Sequence, residues 1–214
     1  MISMQLLTLP PSPNNIKVRA ALGYLQLPFE ELPQDRDDRS ALIAASGQPL
    51  TPVLVHDGLG VFDSAAILRH LHATTPGSTL FPHDPDAMRK LESWETQARY
   101  GVKESVGPMY WMFFGRMPAT PEAQVAAAVA LLRDTEALEK ALSKSAFLMG
   151  ENPNAADFTW AGVLAYNVGL ATPRIQAAPF FSHFSEHYTL SAEQRPLVRA
   201  WVSRVLQYDA WIHG

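Results

Sequence analysis

The sequence predicts an α/β unit followed by an all-helical unit, and three observations predict it. Short apolar runs bounded by Pro, Gly or Asp crowd the first quarter, where seven of the 17 prolines fall before residue 53. A helix-period stripe lies between the first two of these runs. Beyond residue 86 every strong pattern is helical.

Taken in order, residues 5–9, 29–32, 52–56 and 60–62 are of strand length and flanked by turn residues. Between the first two, Val18, Ala21, Leu22 and Leu25 recur at i, i+3, i+4 and i+7, which is one face of a helix. Residues 35–46 read as irregular. A second helix starts at Ser64, with Ile67, Leu68 and Leu71 turned inward. This order describes a βαβ unit, then a hairpin and a helix, forming a small mixed sheet. Residues 74–86 are rich in Thr, Pro, Gly and Asp and read as the connection. Helical stripes follow: Leu91, Trp94, Ala98 and Val102; Val125, Val129, Leu132, Leu138 and Leu142; Phe158, Ala161, Leu164, Ala165 and Val168; and, after Pro196, Leu197, Trp201, Val205 and Tyr208. Domain bounds of 1–76 and 87–214 with a linker at 77–86 follow.

Composition narrows the function. The 214 residues are 47% hydrophobic and 18% charged, which excludes a disordered chain. A net charge of −4 with no basic stripe argues against nucleic acid as a partner. Cysteine is absent, which excludes disulfides, thiolate metal sites and a thiol nucleophile on the protein. The longest apolar run, residues 125–132, is far short of the ~20 needed to span a bilayer, so no membrane role is expected. The amino terminus lacks a basic segment followed by an apolar core, so the expected location is cytoplasmic.

Several local patterns carry chemistry. Ser12 precedes the first helix, Asp63 and Ser64 start the second, and all three types suit helix caps. The same positions suit anion binding, because free backbone N–H groups and the positive helix end converge there. Asn154 with Asp157 three residues on is a capping box, assigned to folding. His183 and His187 are four apart with no evident third ligand, so no metal site is expected.

Five segments occur in order along nearly the whole chain: Ser12-Pro-Asn-Asn-Ile-Lys-Val-Arg-Ala-Ala-Leu22, Leu50-Thr-Pro-Val-Leu54, Phe62-Asp-Ser-Ala-Ala-Ile67, Asn154-Ala-Ala-Asp157 and Arg195-Pro-Leu-Val-Arg-Ala-Trp201. Together they resemble the cytosolic glutathione transferase family, in its bacterial form with Ser at the thiol-activating turn. The resemblance implies a thioredoxin-like amino-terminal domain that binds glutathione as co-substrate, with no further cofactor, and a helical domain that supplies an electrophile pocket. It implies that Ser12 faces the glutathione thiol. Asn14 is the second candidate, since some bacterial members with disulfide-bond reductase activity have Thr-Pro-Asn at this turn. Pro52 is expected to follow a cis peptide, leaving the backbone of Thr51 free for the cysteinyl part of glutathione. Asp63 and Ser64 are expected at the γ-glutamyl end. Leu50 departs from the pattern, because relatives commonly carry Lys or Gln there, and Gln48 is the alternative for the glycine carboxylate. Met109, Tyr110, Trp111, Phe113 and Phe114 crowd the region of the electrophile pocket, and Met109, Tyr110 and Phe113 are the candidates for it, with Tyr110 its polar contact. Residues 171–194 form a longer connection than is usual in relatives, either covering the pocket or extending a subunit interface. The family implies a homodimer. Its activities leave three readings: a transferase for small hydrophobic electrophiles, a disulfide or peroxide reductase acting through glutathione, and a non-catalytic binding protein.

Overall fold

The computed structural model describes residues 4–9, 12–170 and 172–210. Residues 1–3, part of the segment read above for a leader, lie outside the described residues. Strand β1 (Met4–Thr8), helix α1 (Pro13–Tyr24) and strand β2 (Glu30–Pro33) form the parallel βαβ unit. Strand β3 (Val53–His56) runs antiparallel to β1, and β4 (Leu59–Phe62) antiparallel to β3, giving the order β2-β1-β3-β4. The β3–β4 turn is Asp57-Gly58 with φ of 50° and 82°. Two positive-φ residues of these types make the turn whose twist matches the strands it joins.

Residues 40–46 depart from the irregular reading: they form helix α2 (Ser40–Ser46), closed by Gly47 in the left-handed conformation at φ 76°. Seven residues with Leu42 alone buried are too few to show a periodicity. Leu42 packs with Leu7 and Val53 on one face of the sheet. Helices α1 and α3 (Ser64–Thr74) cover the other face, where Leu6, Ile16, Leu22, Leu54, Ile67 and Leu71 are fully buried.

After α3 the chain runs without helix or strand to Asp84, then enters α4 (Pro85–Tyr100). A 3-10 turn (Gly101–Lys103) leads to α5 (Val106–Phe113) and α6 (Pro121–Leu142). Then come α7 (Ala155–Leu164), α8 (Pro173–Gln176), α9 (Phe181–His187) and α10 (Pro196–Leu206). In α6 the buried face is set by Ala127, Ala130, Leu131, Leu138 and Leu142. Val125 and Val129, expected on the inner stripe, are 62% and 60% exposed. The small alanines let the helix approach its neighbours on that side, which turns the valines outward.

Helix α7 is buried on nearly every side and starts with the expected capping box between Asn154 and Asp157. Asp157 does more than cap. Its carboxylate accepts from the Leu148 N–H (2.9 Å), the Asn154 N–H (3.0 Å) and the indole N–H of Trp201 on α10 (2.9 Å). Farther along, a Cβ on Gly162 would lie 2.7 Å from the Pro13 carbonyl oxygen and 3.2 Å from Lys17 Cβ. Only glycine allows α1 and α7 this approach, which fuses the two units. Arg19 of α1 adds a second tie, with a two-pronged ion pair to buried Asp209 (3.0 and 3.2 Å) and a bond to Glu31 on β2 (3.1 Å).

Asp157→Ala strands three donors, two of them main-chain, in an apolar setting. A loss of about 3–5 kcal/mol is expected, at 1–3 kcal/mol for each buried donor left unmade with partial relaxation. Denaturant unfolding of the two proteins at neutral pH measures it.

Candidate functional site

Helices α1 and α3 point their amino ends at a common region beside the start of β3. Ser12 is the N-cap of α1: its carbonyl accepts the N–H groups of Asn15 and Ile16 (3.0 and 3.1 Å). Its hydroxyl makes no cap bond, so unlike most cap serines it is left uncommitted among the described residues. Pro13 follows at the first helical position, where a missing N–H costs nothing.

Asn14 and Ser64, fifty positions apart in the chain, meet across this region. The Ser64 hydroxyl donates to Asn14 Oδ1 at 3.3 Å. Ser64 opens α3 and is buried, while Asn14 is exposed. Asn15, fully buried, reaches Thr51 Oγ1 at 3.5 Å. The Thr51–Pro52 peptide is cis. The β1–β3 register begins at Leu7↔Val53, so the main chain of Thr51 lies just past the ladder.

Asp63 is the N-cap of α3, with Oδ1 accepting from the N–H groups of Ala65 (2.8 Å) and Ala66 (3.3 Å). Its other oxygen accepts from Arg99 of α4 at 2.7 Å. Burial alone would raise its carboxyl, but the Ala65 N–H and the Arg99 guanidinium together hold it below the ordinary 3.8. Asp63 holds a φ of 64°, a conformation that few side chains tolerate. Both of its oxygens are thus engaged, one by each unit of the protein.

Gln48 turns back on its own loop. Its amide nitrogen donates to Ser46 Oγ and the Leu50 carbonyl, both at 2.9 Å, and its oxygen accepts from the Leu50 N–H at 2.7 Å. Leu50 is 71% exposed.

A cleft of about 350 Å³ opens between the two units at this point. Leu9, Ser12, Pro13 and Asn14 form one wall, and Tyr110, Phe114 and Phe180 the other. Arg36, from the loop after β2, is the single charged side chain among these described lining residues. The Tyr110 ring packs on Phe180 (5.1 Å between centroids) and Phe184 (4.9 Å). Its hydroxyl is buried without a hydrogen-bond partner among the described residues. Burial and the neighbouring Tyr166 push that hydroxyl well above its ordinary value, so it stays protonated. Met109 lies behind the wall, fully buried, its sulfur 3.5 Å from the Asn167 amide nitrogen. Phe113 meets Phe114 and Phe180 edge to face (5.1 and 5.6 Å between centroids) and is itself outside the lining.

Of the five residues crowding the expected pocket, Tyr110 and Phe114 line the cleft, and sequence reasoning missed Arg36 and Phe180 as wall residues. Arg36 carries no periodicity to read. Phe180 arrives on the long connection of residues 171–194, which thereby contributes to the cleft wall. His183 and His187 share α9, 5.5 Å between ring centroids, and no group of three or more metal-ligating side chains occurs among the described residues.

A four-stranded thioredoxin-like sheet with helices on both faces, joined to a helical bundle across a largely apolar cleft, defines a two-unit architecture of α/β and all-helical halves. The family model described as Glutathione S-transferase, N-terminal domain, matches residues 6–79, and the one described as Glutathione S-transferase, C-terminal domain, matches residues 104–209. The probable glutathione S-transferase GSTU6 of Oryza sativa subsp. japonica is 30% identical over 173 residues, covering 76% of this chain and 72% of that protein. A probable glutathione S-transferase of Nicotiana tabacum is 24% identical over 196 residues, covering 88% and 84%. The crystal structure of rice GST1 (OsGSTU1) in complex with glutathione superposes with a TM-score of 0.74 at 21% identity, covering 98% of this chain and 90% of that one. The chain therefore belongs to the glutathione S-transferase family, a family of enzymes. No described helix is long and apolar enough to cross a membrane.

Asp63→Asn keeps a capping oxygen and tolerates the positive φ but removes the charge facing Arg99. The pair is partly exposed, so a loss under about 1 kcal/mol is expected at pH 7. A carboxyl held below its unfolded value adds stability above that value and loses it as pH falls through its folded one. The difference between the two proteins should therefore vanish well below pH 3.8, the ordinary value. Thermal unfolding of both proteins across pH 2–7 checks it.

Proposed function

We propose that the protein binds glutathione between the amino ends of α1 and α3, stabilises its thiolate, and joins that thiolate to a small hydrophobic electrophile held in the cleft. The single observation that carries this reading is the uncommitted Ser12 hydroxyl, set at a helix amino end on the wall of an apolar cleft. An ordinary thiol has a pKa of about 8.5 and is mostly protonated at neutral pH. A hydroxyl donating to the sulfur, with the positive end of α1 behind it, favours the anion and so supplies the nucleophile. The thiol proton leaves to solvent. The sulfur then forms its bond to the electrophilic carbon as the leaving group departs with its electron pair.

The remaining residues take their roles from position. Ser64 and the first N–H groups of α3 suit the α-carboxylate of the γ-glutamyl group. The Thr51 main chain, past the end of the ladder, suits the cysteinyl backbone. Asp63 faces the γ-glutamyl ammonium as the shared partner of Arg99. Asn14, bonded to Ser64, couples the thiol end to the γ-glutamyl end. Gln48, folded onto its own turn, must release Leu50 before it can reach a glycine carboxylate. Tyr110 presents a ring to the electrophile, backed by Phe113 and Met109. The family resemblance also supports a homodimer working in the cytoplasm.

Ser12→Ala is expected to raise the titration midpoint of bound glutathione, read from thiolate ultraviolet absorbance against pH, and to lower turnover with an aryl halide. Glutathione affinity should stay nearly the same. Asn14→Ala is the comparison: if it moves the midpoint and Ser12→Ala does not, Asn14 is the group at the sulfur.

Ser64→Ala should weaken glutathione binding and leave folding intact. A lost hydrogen bond to a charged group is worth about 1.5–3 kcal/mol, roughly ten- to more than a hundredfold in affinity. Titration calorimetry measures it, and an unchanged affinity removes Ser64 from the site.

A further inference from the structure

The cleft carries one charge that the proposed chemistry leaves unused. Arg36 stands in the loop between β2 and α2. That loop is tied at its start to the end of β1, where the Gln34 N–H donates to the Thr8 carbonyl at 2.8 Å. Leu9, the next residue along, lines the cleft together with Arg36. Arg36 is exposed, and no hydrogen bond or ion pair joins its guanidinium to another described residue. Its loop also carries Asp35, Asp37, Asp38 and Arg39, none of which lines the cleft. Two of these acids are turned onto the loop itself: Asp35 accepts from the Asp37 N–H at 2.8 Å, and Asp38 from the Ser40 N–H at 2.9 Å. The polar members of the described lining are Ser12, Asn14, Arg36 and Tyr110, and none is acidic.

That makeup selects by charge. Low-dielectric walls focus the field of a cation at their edge, so one guanidinium counts for more here than on an open surface. A guanidinium is also a planar fork whose parallel N–H bonds match a carboxylate. An anionic electrophile in a cleft without a cation is repelled by the thiolate it has to meet, and Arg36 offsets that repulsion. The glycine carboxylate of glutathione is the competing anion. Gln48 and Leu50, the residues read for that end, lie outside the lining, and so does Thr51. Arg36 shares its surface instead with Tyr110, Phe114 and Phe180, the wall read for the electrophile.

We propose that Arg36 determines specificity and that the preferred electrophile is an aromatic compound bearing a carboxylate, its ring against Tyr110, Phe114 and Phe180 and its carboxylate on the Arg36 guanidinium. This rests on the transferase reading above. A cleft of about 350 Å³ is at the small end of ligand pockets, which run from ~300 to ~1,000 Å³, and suits a single substituted ring. With an aryl halide the reaction is a displacement. The glutathione sulfur bonds to the ring carbon, and halide leaves with the electron pair of the broken bond. The contact between Arg36 and the carboxylate takes no part in those bond changes and is made in the ground and transition states alike. It therefore acts on KM rather than on kcat.

The test compares para-chloro-meta-nitrobenzoate with its neutral amide in the wild type, Arg36→Gln and Arg36→Glu, each rate divided by the uncatalysed rate with glutathione. The wild type should favour the benzoate in kcat/KM by about tenfold, the scale of one charge-assisted hydrogen bond, with most of the difference in KM. Arg36→Gln should bring that ratio close to one, and Arg36→Glu should invert it in favour of the amide. Loosened packing changes both compounds together, whereas a charge contact makes the ratio follow the sign of the charge at this position. A wild type without the preference, or a ratio that Arg36→Gln leaves in place, overturns the proposal while conjugation of the amide keeps the transferase reading. Weaker glutathione binding by Arg36→Gln in calorimetry, with the ratio unmoved, assigns the guanidinium to the glycine carboxylate and overturns the proposal as well. If chlorodinitrobenzene is conjugated and neither test compound is, only this proposal falls. If none of the three is conjugated by the wild type, the transferase reading falls and this proposal with it.

Discussion

The approach of α7 to α1 at Gly162 is the constraint on which the rest of the structure depends. A Cβ there would fall 2.7 Å from the Pro13 carbonyl, so the buried helix of one unit rests on the first turn of the other. That first turn carries Ser12, Pro13 and Asn14. The helical unit thereby fixes where the amino end of α1 points, and with it one wall of the cleft. Overpacking such a site forces backbone movement at about 1–3 kcal/mol, and here the backbone that would move belongs to the site. The capping box and the three bonds to Asp157 hold α7 at the depth this approach requires.

From that junction a division of labour follows. The α/β unit brings two helix amino ends together and leaves one hydroxyl free between them. The helical unit supplies the aromatic wall through Tyr110, Phe114 and Phe180, and two charged side chains, Glu95 and Arg99, that cross to α3. Neither unit lines the cleft alone. Asp63 shows the dependence most clearly: one carboxylate oxygen caps its own helix and the other is held by the opposite unit. Its positive φ is sustained by both sets of bonds at once.

Much of the fold was legible in the sequence because its signals are local. The strands are bounded by turn residues, the Asp57-Gly58 hairpin has its own turn chemistry, and the capping box at Asn154 is written in four residues. Helix α2 was missed, since seven residues burying a single leucine leave no periodicity. The outward turn of Val125 and Val129 was missed for a different reason. Apolar spacing marks a possible face, but which face is buried depends on the alanines that neighbouring helices can approach. Pro52 was readable because a proline opening an apolar run cannot donate to the ladder.

By itself the sequence determined the order of the strands and of the longer helices, and the caps at Asp63 and Asn154, since these follow from bonds made within a few residues. Tertiary structure alone decided what those side chains are free to do. It left the Ser12 hydroxyl uncommitted, occupied both oxygens of Asp63, folded Gln48 onto its own turn, and brought Asn14 against Ser64. It also brought Arg36 and Phe180 to the cleft. The physical reason is range. Capping and periodicity act over one helical turn, whereas availability, burial and charge balance are set by whatever distant segments the packing of α7 on α1 happens to bring near.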